Sequence, residues 1–384
     1  MKQISFTLVT ILGALTALGP ICTDFYLPAL PELRDELEID TTLAQMSLTA
    51  SLIGLGIGQL VFGPISDRTG RKLPLMISLF VFVISSILCA TAENGWMLVF
   101  YRFIQGVAGG GGAVLSRSIA RDRYTGVELT QFFALLMAIN GVAPIFSPVI
   151  GGYISAFVGW RVLFLTMAAM GVFLLLACYF LLSESVKQKN QSFSYFADAC
   201  VLLKDRHFSI YCFVQAFMFM GFFSYVGSSS FVLQNEYKIS SFHYSLMFGI
   251  NGVGVVLTSM IFSKLSVRYG LDNILNKGLV TAVIFSMILV TSIVTHSSPV
   301  ICFILLFFTI SFNSGICTLA SSVAMSNVSG EYSGTASALL GVSMFLFGGL
   351  ATPLSAIGGE SMLKMCSAIF VSYLLALLIN MIKR

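Results

Sequence analysis

The chain has 384 residues, 57% of them hydrophobic and only 10% charged, where a soluble domain carries about 25% charge. That composition excludes an ordinary soluble enzyme and reads as a membrane protein. The net charge of +4 comes from basic residues strung along one membrane face, so it implies no nucleic-acid partner. Eight scattered cysteines without a Cys-x-x-Cys pair imply neither disulfides nor a metal site.

Twelve apolar stretches follow, with cores at 5–28, 43–63, 73–92, 96–115, 130–151, 161–182, 208–232, 243–262, 276–295, 300–322, 334–355 and 363–381. Each is close to the ~20 residues that cross a hydrocarbon core. Lys2 before the first stretch mimics a signal peptide, but no small-residue cleavage site follows and the stretch is too long. With both termini cytoplasmic, 16 of the 21 basic residues fall inside, and the first outer loop is acidic, with Glu32, Asp35, Glu36, Glu38 and Asp40. That asymmetry sets the orientation expected of a multi-pass inner-membrane protein.

Residues 184–206 form the one long polar stretch. They read as a cytoplasmic linker between six-helix bundles at 1–183 and 207–384. The halves repeat weakly at an offset of 200: Gly54 matches Gly254, Arg68 matches Arg268, Gly70 matches Gly270, Gly141 matches Gly341 and Val142 matches Val342, while Asp67 matches Val267. Chance glycine coincidence is the alternative. A duplicated bundle implies a site near the midplane and rocking access.

Between the second and third stretches lies Gly63-Pro-Ile-Ser-Asp67-Arg68-Thr-Gly70-Arg71-Lys72. It resembles the loop signature G-x-x-x-D-R-x-G-R-K of the major facilitator superfamily. The resemblance implies an all-α fold of twelve transmembrane helices in two pseudo-symmetric bundles. It also implies that Asp67 meets the start of helix eleven near Ser333–Ala336 and a basic residue at the inner end of helix four, with Arg117 and Arg121 as candidates. Arg71 is placed to pair with Asp122. Such contacts would form a cytoplasmic latch that breaks on inward opening, or would merely enforce topology.

Two charges stand well inside predicted spans, Asp24 and Arg102. An ionisable group there costs about 2.5–3.5 kcal/mol on insertion scales, which makes each a functional candidate. Counted from the outer surface they lie ~6 and ~9 Å deep at ~1.5 Å per residue. They are expected to pair, directly or through an intermediate residue, with Asp24 exchanging a proton for substrate; a static packing pair is the alternative. Asp24 stands in Thr-Asp-Phe-Tyr-Leu-Pro-Ala-Leu-Pro (23–31), similar to the helix-one signature of the bicyclomycin-resistance (Bcr/CflA) branch of drug:proton antiporters. Arg-Phe-Ile-Gln-Gly (102–106) resembles the helix-four motif of proton-coupled members. Gly141-Val-Ala-Pro144 and Ser147-Pro148-Val-Ile-Gly151-Gly152 resemble the helix-five antiporter motif, with Ser147 replacing its first glycine. These residues are read as a gate, ordinary close packing being the alternative. Gly109–Gly112 allow either close approach or flexibility.

Pocket candidates are the mid-span amides Asn140, Gln215, Asn251 and Asn313, with Tyr26, Met137, Phe219 and Tyr225. Amides buried in lipid require partners, so helix–helix hydrogen bonds compete with ligand contact. One intramembrane acid suggests one proton per cycle. The reading is a monomeric exporter of small amphipathic drugs, driven by a proton gradient with no cofactor. The alternative is a metabolite such as an amino acid or sugar; a non-transporting sensor ranks below both. No nucleophile–base pair supports an enzyme.

Overall fold

The computed structural model describes residues 6–124, 126–185, 195–329, 332–356 and 361–382. Fourteen α-helices occur among them: α1 (Phe6–Asp24), α2 (Leu30–Glu36), α3 (Thr41–Thr69), α4 (Lys72–Ala90), α5 (Gly95–Arg123), α6 (Gly126–Val158), α7 (Trp160–Leu181), α8 (Tyr195–Lys204), α9 (Arg206–Phe231), α10 (Ser241–Tyr269), α11 (Leu271–Val294), α12 (Pro299–Ser326), α13 (Ser333–Ala356) and α14 (Met362–Met381). Twelve spans are long and apolar enough to cross a bilayer, the first running from α1 through α2. No strand occurs among the described residues, as lipid demands of a chain that must satisfy its own backbone.

Side-chain caps set several starts. Asp40 accepts the Leu43 amide at 3.3 Å, Asn94 the Met97 amide at 2.9 Å and Asp205 the His207 amide at 2.8 Å; each supplies an acceptor to a first turn that lacks one. α3, α5 and α10 run more than a turn beyond their predicted cores. Their polar ends leave the hydrocarbon but continue the helix, and hydropathy sees only the apolar part.

The helices form two compact units, α1–α7 with Ser241–Ser245 in the first and the remainder of α8–α14 in the second. Within the stretch read as a linker, α8 forms a ten-residue helix. Lys2, Lys187, Lys189, Lys383 and Arg384, used for orientation, lie outside the described residues.

The first unit is built on the crossing of α3 and α5. A Cβ on Gly54 would stand 2.8 Å from the Val107 amide nitrogen, and one on Gly110 would strike the Leu55 carbonyl oxygen. The glycine run of α5 therefore serves close backbone approach, the small-residue packing that membrane helices use in place of a hydrophobic drive.

Candidate functional site

Asp24 ends α1. The sequence suggests a helix to Pro28; instead the chain turns at Phe25–Tyr26, makes a 3-10 turn at Leu27–Ala29 and restarts as α2. Pro28 lies in the first two positions of that turn and Pro31 in the first two of α2. Neither has an N–H to continue the ladder. The turn stays inside the unit, with Tyr26, Leu27 and Leu30 fully buried and Asp24 7% exposed.

The break strips the last carbonyls of α1 of helical donors. Arg102, fully buried on α5, supplies one: its Nη2 donates to the Cys22 carbonyl at 2.6 Å. Its Nη1 donates to Gln105 Oε1 and contacts Cys22 Sγ at 3.6 Å. The guanidinium lies over the Tyr26 ring at 4.3 Å and the Phe164 ring at 5.5 Å. Gln105 in turn donates to Ser86 Oγ at 2.7 Å and contacts Met167 Sδ at 3.6 Å. The negative end of α1 and two ring faces thus answer the charge.

This corrects the expected pairing. No Asp24–Arg102 ion pair is present among the described residues, and the pairs Arg34–Asp35, Arg71–Asp67, Arg71–Asp122 and Arg161–Glu36 lie elsewhere. Ending α1 at Asp24 offers Arg102 a carbonyl two residues earlier, and the fork takes it. Tyr26, read as a pocket candidate, is fully buried with its face under Arg102 and its hydroxyl bonded to Ser47 Oγ at 3.1 Å.

α6 runs unbroken through Pro144 and Pro148. A Cβ on Gly151 would stand 2.8 Å from the Phe25 carbonyl carbon, and one on Gly152 3.3 Å from Pro28 Cβ. These two glycines seat α6 against the turn that follows Asp24. Gly141 is half-buried on the same helix.

At the opposite end of the unit, Gly70 closes α3 with φ +99° and ψ 163°, a region open only to glycine. Arg71 Nη1 meets Asp67 at 2.5 Å and Ser66 Oγ at 2.7 Å, while its Nε donates to Asp122 at 2.8 Å. Burial opposes the Arg71 charge, but the bonds to Asp122 and Asp67 outweigh it and raise its pKa above the ordinary guanidinium range. Glu184, which sequence reasoning missed, accepts the Arg71 and Lys72 amides at 2.9 and 3.0 Å and so caps α4. Lys72 Nζ donates to the Tyr179 carbonyl at 2.9 Å, and Ser185 Oγ to Asp122 at 3.0 Å. These bonds all lie within the first unit and bind its loop to the end of α7. Arg117 is a further correction: it donates to Gln59 at 3.1 Å and to the Ala113 carbonyl, not to Asp67, because Gln59 faces it from α3. Arg68 and Arg121 are exposed, and Gly63 is half-buried.

The pocket candidates scatter. Gln215 donates to the Leu340 carbonyl at 3.2 Å and accepts from Ser321; it is a bridge among α9, α12 and α13. Asn313, 2% exposed, accepts from Cys317 of its own helix. Phe219 packs on Phe222 and Phe223. Asn140 is half-buried on α6, and the Met137 side chain lies outside those described. Asn251 and Tyr225 do come together, Asn251 Nδ2 donating to the Tyr225 hydroxyl at 2.7 Å.

Two acids that sequence reasoning missed hold matching places in the two units. Glu36 accepts from the Trp160 indole at 2.6 Å and pairs with Arg161, tying α2 to the start of α7. Two hundred residues on, Glu236 accepts the Met362 amide at 2.9 Å at the start of α14. The same offset that matched the glycines was the available signal.

A family model described as Major Facilitator Superfamily matches residues 12–353. The chain is 36% identical over 371 residues to a protein named uncharacterized MFS-type transporter YdgK of Bacillus subtilis, covering 95% of this chain and 92% of that one. It is 29% identical to multidrug resistance protein MdtL of Salmonella typhimurium (93% and 90% covered) and 27% identical to a bicyclomycin resistance protein homolog of Haemophilus influenzae (71% and 70%). Among solved structures, that of nucleoside transporter NupG superposes with a TM-score of 0.75 at 15% identity over 98% of both chains, a likeness of fold.

Proposed function

The chain belongs to the Major Facilitator Superfamily and is a multi-pass membrane transporter; from that premise we propose that it exports small amphipathic, drug-like molecules in exchange for protons by alternating access. The observation that carries the reading is Asp24, a carboxyl group 7% exposed at the break of α1. An acid retained in a membrane span at such cost marks a proton path. Arg102 takes its counter-charge from the end of α1, so Asp24 can gain and lose a proton without breaking an ion pair to it. Arg102 then holds the geometry of the break while Asp24 titrates. The names of the relatives, which include a multidrug and a bicyclomycin resistance protein, support the substrate class.

In this reading the chain is a monomer in the inner membrane with both termini cytoplasmic, and the proton gradient replaces any cofactor. In this reading the bonds of Arg71 to Asp67, Ser66 and Asp122, with Glu184 on the Arg71 and Lys72 amides, brace the ends of α3, α4, α5 and α7. The test is transport in proteoliposomes. An imposed pH gradient should drive accumulation of a lipophilic cationic dye by the native chain, and Asp24→Asn should abolish the gradient-driven part while leaving downhill exchange. Gradient-driven accumulation that survives Asp24→Asn sinks the proton role.

A further inference from the structure

Each unit carries an open apolar groove. In the first it lies between α3 and α5, about 440 Å³, walled by Met46, Ile53, Trp96, Phe100 and Phe103. In the second it lies between α10 and α12, about 310 Å³, walled by Met247, Ile250, Phe303, Ile304 and Phe307. Both volumes fall in the range of small-molecule sites. Their walls are open at the surface: Trp96 is 64% exposed and Ile250 59%.

The grooves differ in one polar group. Asn251 lines the second groove and is 8% exposed. Its Nδ2 is committed to the Tyr225 hydroxyl at 2.7 Å, and Tyr225, stacked on Phe248 at 5.6 Å, also engages Ser229. The amide plane is thereby fixed. Among the described residues no donor reaches its Oδ1. The position two hundred residues earlier is Ser51, which bonds to Cys22 Sγ at 3.4 Å and does not line its groove. An acceptor left unpaired in an apolar setting is costly, and here it lines a space with two phenylalanine rings among its walls.

We propose that the α10–α12 groove is a binding site for neutral aromatic amphipaths bearing one N–H or O–H donor, which Asn251 Oδ1 accepts while Phe303 and Phe307 hold the ring system. The repeat-related groove of the first unit takes such molecules without selecting for the donor. The site adds a chemical class to the efflux reading, and binding is measured without a gradient, so failure of proton exchange at Asp24 leaves it standing.

The test uses the full chain in nanodiscs with three tricyclic probes: carbazole, N-methylcarbazole and 9-fluorenone, which carry a donor, neither group, and an acceptor. Saturable carbazole binding above that of empty nanodiscs is expected, about fivefold tighter than N-methylcarbazole, as one net hydrogen bond provides. Asn251→Leu should equalise the pair. Ile304→Trp fills the groove from its exposed wall, leaves both partners of the Asn251–Tyr225 bond in place, and should weaken carbazole about tenfold or more. Equal binding of the pair by the native chain, preference for fluorenone, or a donor preference that persists in either variant overturns the proposal. If Asn251→Leu fails to fold, the native comparison and Ile304→Trp still decide it.

Discussion

In the first unit α3 spans Thr41–Thr69 and ends at Gly70 with φ +99°; in the second α10 spans Ser241–Tyr269 and ends at Gly270 with φ +85°. Lengths, ends and turn coincide at an offset of 200, and even the positive-φ residues Glu38 and Lys238 correspond. The side chains around the turns do not. Gly70 backs onto Glu184 and leads into the Arg71–Asp122 pair, whereas nothing lies within 4 Å of a Cβ at Gly270, and Val267, in place of Asp67, is 89% exposed. The buried charges divide likewise: Asp24 and Arg102 correspond to Ser224 and Cys302. A helical skeleton is held by backbone geometry and glycine approach, so it survives duplication, while the charges set on it diverge freely.

Arg102→Met should damage the molecule most. It strips the Cys22 carbonyl and the Gln105 amide of their donor, costing about 3 kcal/mol and transport with it, and Cys302→Ala in the second unit should cost far less; thermal unfolding in detergent compares them. Arg102→Lys should fall between, since an ammonium cannot fork to both acceptors. Asp24→Asn should abolish gradient-driven transport with little change in unfolding temperature; Ser224→Ala, its counterpart, should leave coupling untouched. Gly70→Ala and Gly270→Ala should each cost about 1–3 kcal/mol in backbone strain, with Gly70 the larger, because its Cβ would stand 2.7 Å from Glu184 Oε2; equal losses would dissolve the contrast between the turns. Smallest, Glu184→Gln should cost about 1 kcal/mol by weakening the charged cap of α4, readable as faster amide exchange at Arg71 and Lys72.

Much of this architecture was legible from composition and pattern. Apolar runs reveal spans, the matches at an offset of 200 reveal the paired ends of α3 and α10, and Asp24 and Arg102 announce themselves because charge in hydrocarbon is expensive. Their partners were not legible. Reading helix one through to Pro28 made an Asp24–Arg102 pair the natural guess; only the break at Asp24 exposes the Cys22 carbonyl that Arg102 takes. Gln215 looked like a ligand group for want of visible neighbours, and its bonds to Leu340 and Ser321 come from residues more than a hundred positions away. Glu184 sits in a polar stretch where an acid carries no signal of its own.

What the sequence determined by itself is the membrane, the twelve spans, the family and the identity of the two intramembrane charges, because burial cost and helical length act locally along the chain. What only the tertiary structure decided is who answers each charge and that Asn251 spends its Nδ2 on Tyr225. A guanidinium bonds to whichever acceptor the fold brings within about 3 Å, and that acceptor was a backbone carbonyl, a group every residue carries and no sequence marks.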